Sequence, residues 1–230
     1  MQFGLADIWP FLFSALFFIA LRLAYQCLGI LIFRHPVSAG IVLWLVTGDF
    51  NLLLAAVFFE LLWLDLFYVG TYVPPDGLFA YLLFAPLMLV LGLSSPQDIC
   101  LPLLACLPFA AMAGKLESRM RLYASRDYKN MNEAIASGAD IENTASGIIK
   151  GSLLRLVMAG FMLYTLAAML LYGAAAIWIW KFGAVYCVNW ATWGFLFCLA
   201  AIGGLLSLRI PWARVCFGAC VLVAGGIYIF

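Results

Sequence analysis

Charge is what this chain has least of. Twelve Lys and Arg and eleven Asp and Glu make up only 10% of its 230 residues, against about a quarter in a soluble domain. With 67% hydrophobic residues, that scarcity excludes an ordinary water-soluble globule. It predicts an all-α, polytopic membrane protein. The net charge of +1 leaves no basic field for nucleic acid. Histidine occurs once, at His35, so no zinc centre is expected. The seven cysteines form no Cys-x-x-Cys pair and read as small buried hydrophobes. Gly-x-Ser-x-Gly and phosphate-loop patterns are also missing, so neither a catalytic set nor a cofactor is expected. No basic segment precedes the first apolar run, which therefore reads as a retained span rather than a cleaved leader.

What is present is a series of apolar runs. A spanning helix needs about 20 such residues. The first run, Ile8 to Phe33, is interrupted by Arg22. A short piece follows, Val37 to Thr47, bracketed by Arg34-His35-Pro36 and Gly48-Asp49. Being too short to cross comfortably, it reads as a half-helix or re-entrant segment near 36–48. Leu52 to Val73 carries Glu60 and Asp65 and is broken by Pro74-Pro75 at 74–76. Gly77 to Leu93 and Ile99 to Gly114 come next, the latter with kinks expected at Pro102 and Pro108. Ser152 to Trp180, Ala184 to Leu206 and Trp212 to Phe230 close the chain, giving seven or eight membrane segments. The stretch 115–150 is polar and splits near Ser137–Asp140 into two helical arms, with Asp140 capping the second. Seven of the twelve basic residues fall between Lys115 and Arg155, which places this stretch in the cytoplasm. The organisation is thus an N-terminal membrane half (1–114), a charged helical segment (115–150) and a C-terminal membrane half (151–230). Individual charges of the middle segment read as a solvated face.

The candidate site lies between Arg34 and Asp76. Ionisable groups at bilayer depth are costly and mark a pathway or a partner. Glu60 and Asp65 sit about 140° apart on a helix, so they do not form a paired acid and base on one face. Glu60 shares its face with Trp63, and Asp65 shares one with Tyr68. A carboxylate beside an aromatic ring suits a sugar: the acid accepts from hydroxyls and the ring covers apolar C–H faces. A buried pair of Glu60 with Arg22 or Arg34 is the competing reading. Asp76 and Asp49 each precede an apolar helix and suit N-caps, with Asp76 also placed to reach a substrate. Arg34, His35 and Asp49 read as support for the site, His35 as a polar rim residue.

The same block resembles the IIC membrane component of the mannose–fructose–sorbose type of bacterial phosphotransferase system. The likeness rests on Arg34 and Pro36, Gly48-Asp49, Glu60-Leu61-Leu62-Trp63-Leu64, Gly70 and Val73-Pro74-Pro75-Asp76, in order and spacing. It implies an inner-membrane permease subunit for a hexose-type sugar. The same likeness implies pairing with a IID membrane subunit, as trimers of pairs. Cytoplasmic IIA and IIB proteins would supply the phosphoryl group, so the phosphorylated histidines are expected on those subunits. It puts Glu60, Trp63, Asp65 and Asp76 near the sugar. One departure is plain: Leu52 to Phe58 holds none of the glycines that such proteins carry there, and Asp65 replaces a small residue. That departure keeps a second reading alive, a transport-deficient scaffold or regulatory subunit of the same family.

Overall fold

The structure, a computed structural model, describes residues 8–63, 73–137, 141–182, 189 and 191–207. Every regular element among them is helical: α1 (Ile8–Leu28), a 3₁₀ turn at Leu31–Arg34, α2 (Pro36–Thr47), α3 (Phe50–Trp63), α4 (Gly77–Leu91), α5 (Pro96–Ala136), α6 (Ile141–Phe182) and α7 (Trp193–Ser207). Three stretches are long and apolar enough to cross a membrane: α1, α5, and Ala145–Ile179 of α6. The expectation of an all-α membrane architecture is met at that level. The remaining apolar helices have 12 to 15 residues, or about 18–23 Å of rise, short of a hydrocarbon core of about 30 Å.

Local chemistry sets the short helices. Pro36 starts α2, where its missing N–H costs nothing. Gly48 ends it in the left-handed region (φ 74°), donating from its N–H to Trp44 O at 2.7 Å. Asp49 then caps α3, its Oδ1 accepting from Asn51 N at 2.9 Å. Asp76 caps α4 by accepting from Phe79 N at 3.1 Å. Both caps agree with the sequence reading. Between α4 and α5 the chain turns from Gly92 to Ser95, and Pro96 sits in the first turn of α5.

Helix α4 is the centre of the core. It is apolar all round, and almost every residue from Leu78 to Leu91 is buried, as a helix enclosed by others must be. Pro86 lies inside it and cannot donate to the carbonyl of Leu82. Two hydroxyls replace the lost donor: Ser14 Oγ from α1 at 2.5 Å and Tyr164 Oη from α6 at 2.8 Å. The proline break is thereby converted into a link between three helices.

Helix α3 has no glycine, and its close approach to α2 is made from the other side. A Cβ on Gly40 of α2 would overlap Ala56 Cβ of α3, so the two helices meet across a Gly–Ala contact. Ala39, Ala55 and Ala56 are fully buried there. Helices α5 and α6 continue beyond the apolar region as two arms, tied by an ion pair of Arg155 with Asp127. The sequence reading began the first arm at Lys115; α5 instead runs unbroken from Pro96 to Ala136 through Pro102 and Pro108. The expected cap Asp140 and the candidate span from Trp212 lie outside the described residues.

Candidate functional site

Short helices reach only part of the way along the bundle, and their ends meet at two levels. At one level the turns are joined by amide contacts. Asn51 Nδ2 donates to Ser94 O at 2.9 Å, Trp193 Nε1 to Asn51 Oδ1 at 3.1 Å, and Gln97 Nε2 to Asn189 O at 2.9 Å. At the other level the start of α2, the end of α3 and the start of α4 surround a cleft of about 490 Å³. Arg34, His35, Glu60, Trp63, Asp76 and Arg121 line it, with Pro74 and Pro75 between them.

Glu60 comes from the last turn of α3 and is mostly buried. Its Oε1 lies 2.6 Å from His35 Nδ1. A carboxylate can only accept, so Nδ1 carries the proton. His35 is held in extended geometry ahead of Pro36 (φ −81°, ψ 131°), which aims its ring at α3. The second oxygen, Oε2, is buried and has no hydrogen-bond partner among the described residues. Leaving such a group unpaired costs about 1–3 kcal/mol or more. Trp63 stacks on Phe59 with ring centroids 6.1 Å apart. Its ring lies over the first residue of α4, where a Cβ on Gly77 would come within 3.0 Å of it.

Asp76 is placed by its backbone as much as by its side chain. Its N–H donates to Ala110 O of α5 at 3.0 Å. One turn further along α5, Gly114 leaves room for the same segment: a Cβ there would stand 2.7 Å from Pro74 O. The Asp76 carboxylate divides its acceptors, Oδ1 to the cap and Oδ2 to Arg22 Nη1 at 3.9 Å. Arg22 in turn reaches Glu117 Oε2 at 3.3 Å, beside Arg34 at 3.6 Å, while Arg121 holds Oε1 at 2.8 Å. One carboxylate therefore gathers arginines from α1, the 3₁₀ turn and α5. Arg22 and Arg34 also lie over the rings of Phe18 and Tyr25, which offsets part of their lost hydration. Three arginines (22, 34, 121) face three carboxylates (Glu60, Asp76, Glu117), so the site is close to electroneutral.

Five of the expected residues come together here: Glu60, Trp63, Asp76 and, as support, Arg34 and His35. The predicted alternative pairing of Glu60 with Arg22 or Arg34 is not what the structure shows, since His35 takes Glu60 and both arginines go to Glu117. Asp49 is not at the cleft. It sits at the opposite level, bonded to Asn51, because the α2–α3 turn points away. Asp65 lies outside the described residues. Glu117 is the residue the sequence reading missed, assigned to a solvated face although its side chain is only 13% exposed. The available signal was Arg22, a cation within a span that demands a buried acid. Among the described residues no group of three or more His, Cys, Asp or Glu is arranged to hold a metal ion. No known protein family, curated protein or solved structure matches the chain.

Proposed function

We propose that the chain is the sugar-permease (IIC) subunit of a phosphotransferase system of the mannose–fructose–sorbose type, with the cleft at Glu60 as its sugar site. The observation that carries this reading is the buried, unpartnered Glu60 Oε2 beside an open cleft. An acceptor left without a donor among the described residues is read here as one kept for a hydroxyl of the ligand. Trp63 offers a ring face for apolar C–H groups. The balance of three arginines and three carboxylates favours a neutral, hydroxyl-rich solute over an anion or a cation. A cleft of about 490 Å³ falls within the range of small-molecule sites. The Gly40–Ala56 contact supplies close packing without glycines on α3, which favours a working permease over a scaffold that has lost transport.

On this reading the three long helices, the four short ones and the C-terminal apolar run together make up seven or eight membrane segments, and the charged arms face the cytoplasm. The membrane is the bacterial inner membrane. Transport proceeds with a IID subunit, in trimers of IIC–IID pairs, and with IIA and IIB proteins as phosphoryl donors. The test is Glu60→Gln in a strain carrying all subunits, given a panel of hexoses and scored by phosphorylated sugar. Membrane insertion and IID association stay intact, and product formation falls roughly ten- to hundredfold, the worth of one or two hydrogen bonds to a charged group. Normal uptake by that variant removes Glu60 from the site and the reading with it.

A further inference from the structure

A second chamber of about 470 Å³ lies beside the cleft. The two cavities share Tyr25, Leu31 and Arg121. The rest of the chamber is walled by the end of α1 and by the arms of α5 and α6, among them Gln26, Tyr123, Ala124 and Ser152. Their order along the bundle follows from the helices. The cleft is lined chiefly by the ends of the short apolar helices α2, α3 and α4. The chamber is lined by residues at the polar ends of the long ones: α1 stops at Leu28, α5 turns polar at Lys115, and α6 becomes apolar beyond Arg155. A path from the cleft toward the arms therefore enters the chamber.

The chamber's charged lining is paired, as the cleft's is. Arg121 holds Glu117 at 2.8 Å, and Arg155 is bonded to Asp127. What remains to meet a ligand is neutral: the hydroxyls of Tyr25, Tyr123 and Ser152 and the amide of Gln26. Such groups exchange hydrogen bonds with hydroxyls and hold no ion. The wall between the cavities is thin. Leu31 is 63% exposed and the Arg121 side chain 45%, so neither is packed in place. Gly29 ends α1 at φ 67°, its N–H donating to Tyr25 O at 2.9 Å, and a Cβ there would meet nothing within 4 Å. A partition of this kind parts by side-chain rotation alone.

We infer that this chamber is the cytoplasmic station on the path of a neutral, hydroxyl-rich solute, entered from the cleft across Tyr25, Leu31 and Arg121. The inference rests on the sugar reading of the cleft and adds to it a second site, built from different side chains. Binding is the task of the cleft, and release is the task of the chamber. Blocking the chamber therefore slows turnover without weakening the first encounter.

Ser152→Phe and Ala124→Phe fill the chamber from its two arms, and neither residue lines the cleft or belongs to an ion pair. The second position guards against misfolding at the first. Two quantities are read per inserted chain: binding of radiolabelled hexoses to membranes without the phosphoryl donors, and phosphorylated product once the donors are added. Both phenylalanine variants bind hexose within about twofold of wild type, while product formation falls about tenfold or more. Glu60→Gln gives the other pattern, in which binding itself weakens. Normal product formation by the two filled variants overturns the inference and leaves the cleft as the sugar site. Matched losses of binding and product overturn it too, because the added rings then act on packing and not on a path. A wild-type chain that binds no hexose removes the sugar reading and this inference with it, and that failure is seen before any variant is compared.

Discussion

The two ends of the short helices are built from the same kinds of residue and finished in opposite ways. At the end near Asn51, the polar side chains of the turns close on neighbours. Asn51 bonds Ser94 and Trp193, Asp49 takes Asn51, and Ser95 Oγ donates to Asp98 at 2.7 Å. At the end near Glu60, arginines and acids surround open space, and one carboxylate oxygen has no donor among the described residues. Satisfied polar groups make structure; an unsatisfied one beside a cavity is retained for something that arrives later. The contrast separates carboxylates that sequence alone treats alike: Asp49 closes a turn, whereas Glu60 waits.

Substitutions can break that contrast from either side. The largest stability effect is expected from Gly114→Val. The added carbons drive Pro74 off α5, the Asp76–Ala110 bond goes with it, and about 3 kcal/mol or more is lost. A large fall in the thermal midpoint of purified protein would show this; an unchanged midpoint would mean that the close approach is dispensable. Asn51→Ala comes next, removing bonds that join α3 to two other turns, at about 1–3 kcal/mol. Uptake per folded molecule should not change, and a specific loss of uptake would erase the distinction between the ends. Asp76 has a foot in both roles. Asp76→Asn keeps the cap, since asparagine caps as well as aspartate, but removes the charge beside Arg22. Sugar uptake should fall while the midpoint barely moves; Asp76→Ala should lower the midpoint further, by about 1 kcal/mol of stability. Equal uptake by wild type and Asp76→Asn would leave Asp76 a cap and nothing more. Smallest of all is Lys129→Gln. Its partner Glu133 lies 3.8 Å away on an open helix face, and exposed pairs of this kind contribute little, so neither uptake nor midpoint should respond.

Much of this was legible from local chemistry. Pro36 and Gly48 bound α2 because one fixes φ and the other tolerates the left-handed region. Asp49 and Asp76 cap because a short acid ahead of an apolar helix has orphan N–H groups to meet. Glu60 and Trp63 share the cleft because three residues nearly complete a helical turn. Glu117 was illegible for a different reason. In sequence it stands among basic residues of a polar stretch, and only the uninterrupted course of α5 brings it back under Arg22 and Arg34. The partner of Glu60 was equally hidden, since choosing His35 over two arginines is settled by how the start of α2 packs against the end of α3. Nor could periodicity show that Gly40 would do on α2 what α3 lacks.

Helix α5 is one rod of 41 residues, about 60 Å from end to end. Its inner half carries the bed on which Pro74 and Asp76 rest, and its outer half stands clear of the lipid, clasped to α6. On the permease reading, such a piece would work as a crankshaft. Rotating it by a single residue, about 100°, would swing Gly114 out from beneath Pro74 and push a bulkier neighbour in. A hand on the far end could thus raise or lower the guest's seat without ever entering the bilayer.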